Sequence, residues 1–133
     1  MATSKRLPLP WAAVYANSDQ TALFHPATPW MDASRVEKLR VTFEMTAKTS
    51  VMSVAMGYQT ANVENSPDTA ATIATTSPYK AAEGVHYADA LEDIATATAS
   101  KQLIRFGWLT KTTSGTAYQF ARVSGVVDLV QCT

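Results

Sequence analysis

The sequence is poor in the residues that most often announce chemistry. Its 133 residues include one cysteine, Cys132, and two histidines, His25 and His86. A single thiol cannot close an intrachain disulfide, which excludes a small secreted scaffold stapled by bridges. The histidines are far apart and in no Cys/His cluster, whereas a metal site needs several ligands converging with defined geometry, so both read as ordinary surface or capping residues. The five glycines are too dispersed to form a phosphate-cradling loop. No Gly-x-Ser-x-Gly elbow presents a serine nucleophile. Glu92 and Asp93 are adjacent, so on a helix or a strand they point in different directions and do not make an acid and base pair. Asp32, Asp68 and Asp89 stand alone in turn-like contexts, where short acidic side chains bond the local backbone. The expectation is a protein that is not an enzyme, with no catalytic residue, no metal ligand and no cofactor.

Charge is scarce as well. Only 17% of the residues are charged, and 11 Lys and Arg balance 11 Asp and Glu. The basic residues are scattered, from Lys5 and Arg6 through Arg35, Lys38 and Arg40 to Lys101, Arg105, Lys111 and Arg122. Duplex binding needs a concentrated basic footprint that releases counterions, so direct nucleic-acid binding is not expected. A chain near neutrality does little to oppose close packing of many copies. Long apolar runs are missing too: nothing approaches the ~20 apolar residues of a membrane-spanning helix. Residues 1–10 hold a basic pair but no signal-peptide apolar run before Pro8 and Pro10. These features predict no membrane association and a protein made and kept in a cytoplasm, or assembled there.

What the chain has is enough apolar material, 47% of residues, to build one core. Residues 1–31 are interrupted by Pro8, Pro10, Pro26 and Pro29, which favour extended backbone. They read as an extended N-terminal arm packing on its own or a neighbouring domain, with residues 32–133 forming the domain itself. Leu7, Leu9, Trp11, Tyr15 and Trp30 are the arm's candidate partner-binding residues, because an extended apolar segment can add contact or strand-like pairing to another chain. From Leu39 the pattern alternates, with Leu39, Val41, Phe43 and Met45 on one side, as in a half-buried strand. Met52, Val54, Met56 and Tyr58 repeat it, and a hairpin between the two runs is the economical reading, although the turn lacks Asn-Gly or Asp-Gly.

Residues 59–85 carry turn punctuation around a weak strand candidate at 70–75. Tyr87, Leu91 and Ile94 recur at helical spacing, which predicts a short helix between 86 and 99. The run from Lys101 to Thr110 is apolar on both faces apart from Arg105, as expected of a central strand covered on two sides, and Gly107 suggests a close neighbour or a bulge. A loop with Gly115 follows. The last strand, 118–130, puts Ala121, Val123, Val127 and Leu129 on one face, with Gly125 as a candidate bend. Several strands without alternating helices predict an all-β fold, an antiparallel β-sandwich or jelly-roll-like barrel with at most one short helix.

A Pro-rich arm, a strand pair after Trp30-Met31-Asp32-Ala33-Ser34, polar loops, and the run Leu103-Ile104-Arg105-Phe106-Gly107-Trp108 followed by a Ser-Gly loop and a last strand have a familiar layout. Over about residues 30–131 it resembles the small β-sandwich decoration, or auxiliary, proteins of tailed bacteriophage capsids. The resemblance implies a non-enzymatic virion protein on the capsid surface that bridges major capsid protein subunits and stabilises the head. Its partners would be the major capsid protein and copies of itself. A carbohydrate-binding β-sandwich module on a virion surface or tail is the alternative, and it requires aromatics such as Trp11, Trp30, Tyr58, Tyr79, Tyr87 or Tyr118 exposed in a line or cleft.

Overall fold

A computed structural model of the chain describes residues 3–16, 22–49, 52–73, 78–87, 91–112 and 119–132. Two antiparallel sheets pack face to face as a sandwich, without closing into a barrel. In the first sheet the order is β1 (Thr3–Ala16), β10 (Gln119–Cys132), β4 (Lys38–Thr46) and β7 (Gly84–Tyr87), with β8 (Glu92–Asp93) also beside β4. In the second it is β2 (Leu23–Pro26), β9 (Leu103–Thr112), β5 (Met52–Ala61) and β6 (Ala71–Thr72), with β3 (Met31–Asp32) also beside β9.

The period-2 pattern explains the inner faces. Leu39, Val41, Phe43 and Met45 of β4, with Ala121, Val123, Val127 and Leu129 of β10, are buried. They meet Met52, Val54 and Met56 of β5 and Ile104, Phe106 and Trp108 of β9 in one core. Phe43 meets Trp108 edge to face, with ring centroids 5.5 Å apart. Gly125 leaves room for this contact: a β-carbon there would come within 2.9 Å of Trp108 Cη2 and 2.6 Å of Met56 Cε. Gly107 does face a close neighbour. The β-carbon it lacks would fall on the His25 carbonyl oxygen, so the backbone of residues 25–26 occupies that space.

The strand run of residues 3–16 lies along β10 as the outermost strand of the first sheet. An edge position tolerates Pro8 and Pro10, since one side of the strand needs no ladder donors. Leu9 pairs with Gly125 and Ala12 with Val123, so β1 has one residue more than β10 between these points. That bulge reverses the inward phase. Leu7 and Leu9 face the core before it, and Ala12, Val14 and Ala16 after it.

Two expectations need correction. The runs 39–46 and 52–58 are not a hairpin: β4 pairs with β10 and β7, and β5 pairs with β9 and β6. The connection crosses from one sheet to the other, with Ala47 at φ 52°. Alternation reports which face of a strand is buried, and two facing strands satisfy it as well as two paired ones. The helix expected between 86 and 99 shrinks to α1, Ala95–Thr98. Gly84–Tyr87 and Glu92–Asp93 complete the edge of β4 instead, because an unpaired strand edge outweighs a short, Thr-diluted helical pattern. Thr98 is held from below, its hydroxyl donating to the Val36 carbonyl at 2.9 Å. The loop around Gly115 and the start of the last strand at Tyr118 lie outside the described residues.

Candidate functional site

The two histidines and Asp32, Asp68 and Asp93 are engaged within the fold. Among the described residues no three His, Cys, Asp or Glu converge as metal ligands would. His25 Nε2 donates to the Tyr15 carbonyl at 2.8 Å and His86 Nε2 to the Ala82 carbonyl at 2.7 Å. Asp32 accepts from the Ser34 amide at 3.0 Å, and Asp93 accepts from the Ala95 amide at 2.9 Å. Asp68 accepts from Thr60 and pairs with Lys101 at 2.8 Å, and the Lys101 ammonium chiefly holds its carboxyl below the usual carboxylate range. Two aromatic clusters lie on the outer faces of the sheets.

The first cluster lies on the outer face of the first sheet. Trp11, Tyr15 and Phe120 are 46%, 52% and 53% exposed. Tyr15 and Phe120 are directly opposed across β1 and β10. The Arg122 guanidinium lies 5.5 Å from the Trp11 ring centre. The bulge creates this cluster: continuing the phase of Leu7 and Leu9 would have turned Trp11 and Tyr15 into the core. Tyr15 is steadied from the side by the His25 ring, whose centre is 4.8 Å from its own. Phe120 was absent from the sequence-based candidates. Its signal was present, since Ala121 and Val123 take the inner face of β10 and leave Phe120 the outer one.

Among the other candidates, Leu9 is 1% exposed and Leu7 packs partly buried against the same core. Trp30 belongs to a second cluster, on the outer face of the second sheet. The Arg105 guanidinium lies 4.3 Å from the Trp30 ring centre and 5.9 Å from that of Phe24. Its Nε and Nη2 both donate to Gln59 Oε1, at 2.9 and 2.7 Å. Gln59 Nε2 in turn donates to the Asp68 carbonyl at 3.0 Å. On the same face the Lys111 ammonium sits 4.0 Å from the centre of the Tyr79 ring. Tyr58 packs half-buried against the core, and burial pushes the Tyr58 and Tyr79 phenols up. The Tyr87 side chain and Tyr118 lie outside the described residues.

No protein family and no curated protein sequence matches the chain. Solved structures do. A structure of infectious bursal disease virus, Gx strain, superposes with a TM-score of 0.60 at 7% identity over 96% of this chain. The VP2 subviral particle of that virus gives 0.60 at 7% over 97%, and a mutant VP2 in T=1 particles gives 0.56 at 9% over 96%. The chain spans about a third of the length of these proteins, 31%, 32% and 32%. At such low identity the likeness is one of fold: nearly the whole chain superposes on about a third of each of these proteins.

Proposed function

We propose that the chain is a non-enzymatic structural protein of a virus particle. The observation that carries this reading is the fold shared, over almost its full length, with a domain-sized part of proteins solved as virus and subviral particles. A net charge of zero fits dense packing of copies. In its finer form the chain sits on the capsid surface and bridges subunits of a major capsid protein, as the layout of phage decoration proteins implies. Trp11, Tyr15 and Phe120 then provide the contact, since exposed aromatics beside an arginine are the usual anchors of an interface. Residues 1–31 serve as the contacting segment through the outward side of β1, while their inward side belongs to the chain's own core.

Expression of the chain alone and together with the shell protein of its source separates the forms. Sedimentation with particles only in the presence of the shell protein supports bridging. Particles formed by this chain alone make it a wall protein. A chain that stays with the soluble fraction in both cases sinks the virion role.

One observation favours the carbohydrate reading as a second possibility: three exposed aromatics share one sheet face. Saturable glycan binding that Trp11→Ala and Tyr15→Ala abolish would put it first.

A further inference from the structure

We propose that Arg105, framed by Trp30 and Phe24, is a binding site for the carboxylate of an acidic side chain on a protein partner. Arg105 is the one charge in the central strand of the second sheet between Ile104 and Thr110, where every other residue is uncharged. It is partly buried, and a partly buried cation loses hydration that a neighbouring anion normally restores. No carboxylate among the described residues does so. The nearby acid, Asp68, is committed to Lys101 and Thr60.

The guanidinium is also held still. One edge, Nε and Nη2, is fixed on Gln59 Oε1, and one face rests on the Trp30 ring. Nη1 and the second hydrogen of Nη2 have no acceptor among the described residues. These two parallel N–H groups form the fork that takes a carboxylate through two hydrogen bonds, and the ordering of the fork has already been met by Gln59 and Trp30.

The surroundings select a protein carboxylate over an acidic sugar. A saccharide needs several hydrogen-bonding groups for its hydroxyls, and those near Arg105 are engaged. Gln59 uses both ends of its amide. The Thr28 hydroxyl accepts from the Phe106 amide at 2.9 Å and donates to the Pro29 carbonyl at 3.2 Å. What is left is one charged fork bordered by aromatic surface, the composition of an interface anchor. This site is on the opposite side of the sandwich from Trp11 and Phe120 and does not depend on the virion reading.

The experiment follows the Arg105 Nε–H and Trp30 indole N–H signals of the isotope-labelled chain by NMR. The probes are N-acetylglutamate amide, N-acetylglutamine amide and sodium chloride at matched ionic strength, with N-acetylneuraminic acid as a further arm. The expected result is a saturable shift with the glutamate probe, absent with the glutamine probe and chloride. Arg105→Lys should weaken it by roughly tenfold, the loss of a charge-assisted hydrogen bond. Gln59→Ala leaves the charge but frees the fork, and should weaken binding with the amide spectrum of the fold retained. Equal shifts with glutamate and chloride overturn the proposal. Tighter binding of the sugar acid than of the glutamate probe replaces it with a glycan site.

Discussion

The two sheets bury equivalent inner faces but treat their outer faces in opposite ways. On the first sheet the outer side of β1 and β10 carries Trp11, Tyr15 and Phe120, each about half exposed or more. On the second, Ser53 and Ala55 of β5 and Leu109 of β9 point outward and are nevertheless buried. Small residues make the difference. With Gly57 on β5 and Gly107 on β9, the neighbouring strands come in close: a β-carbon at Gly57 would meet the Ala71 carbonyl and one at Gly107 the backbone of residues 25–26. The first sheet instead carries large, half-exposed rings on its outer side. Where the second sheet is covered at Ser53, Ala55 and Leu109 it contributes stability, whereas the open outer side of the first, like the partly open end of the second at Arg105, is a place to look for a partner.

The contrast can be broken by substitution. Phe106 is fully buried between the sheets, so Phe106→Ala should cost about 3 to 5 kcal/mol in denaturant unfolding, through lost burial and the cavity left behind. A midpoint unchanged within error would remove β9 from the centre of the fold. Gly107→Ala probes the closed outer face alone. Its new methyl meets backbone rather than a flexible side chain, and a loss of roughly 1 to 3 kcal/mol is expected. If the variant matches the parent, the backbone of residues 25–26 does not occupy that space.

The open face should behave differently. Trp11→Ala, Tyr15→Ala and Phe120→Ala are each expected to cost about 1 kcal/mol or less in thermal unfolding, as partly exposed positions do, while lowering particle occupancy. A large drop in midpoint with attachment intact would make these rings part of the chain's own core and not a contact. The smallest effect belongs to the exposed pair on the second sheet's side. Lys101 lowers the Asp68 carboxyl in the folded state, so the pair's contribution is complete above the ordinary carboxylate range and is lost as pH falls through the lowered value. Asp68→Asn should therefore be slightly less stable than the parent at neutral pH and indistinguishable from it in strong acid. A difference that persists unchanged at low pH would mean that the ion pair contributes nothing.

Much of the strand content was legible because it rests on local rules. The inward sets of β4 and β10 follow from the side-chain alternation of a half-buried strand, and the two-sided burial of β9 from an apolar run that lacks it. Of the three acids read as turn-like, Asp32 does bond the backbone two residues on, Asp68 bonds the Thr60 and Lys101 side chains instead of local backbone, and Asp89 lies outside the described residues. The pairing was not legible. β4 and β5 carry matching apolar sets, yet one faces the other across the core instead of lying beside it. The bulge between Leu9 and Ala12 was equally hidden, since Pro10 and Trp11 break the pattern without showing which way it resumes. The candidate surface inherited that uncertainty, because its rings point outward only after the phase has reversed.

The sequence by itself determined that this chain has one apolar core built from strands and a neutral charge balance, because composition and period-2 alternation are properties of each segment alone. Tertiary structure decided which strands share a sheet, which outer face is closed, and which aromatics reach solvent. Those outcomes depend on how facing surfaces fit: Gly125 opposite Trp108, and the backbone of residues 25–26 across Gly107. Fit of that kind is a relation between segments far apart in the chain, and no single segment contains it.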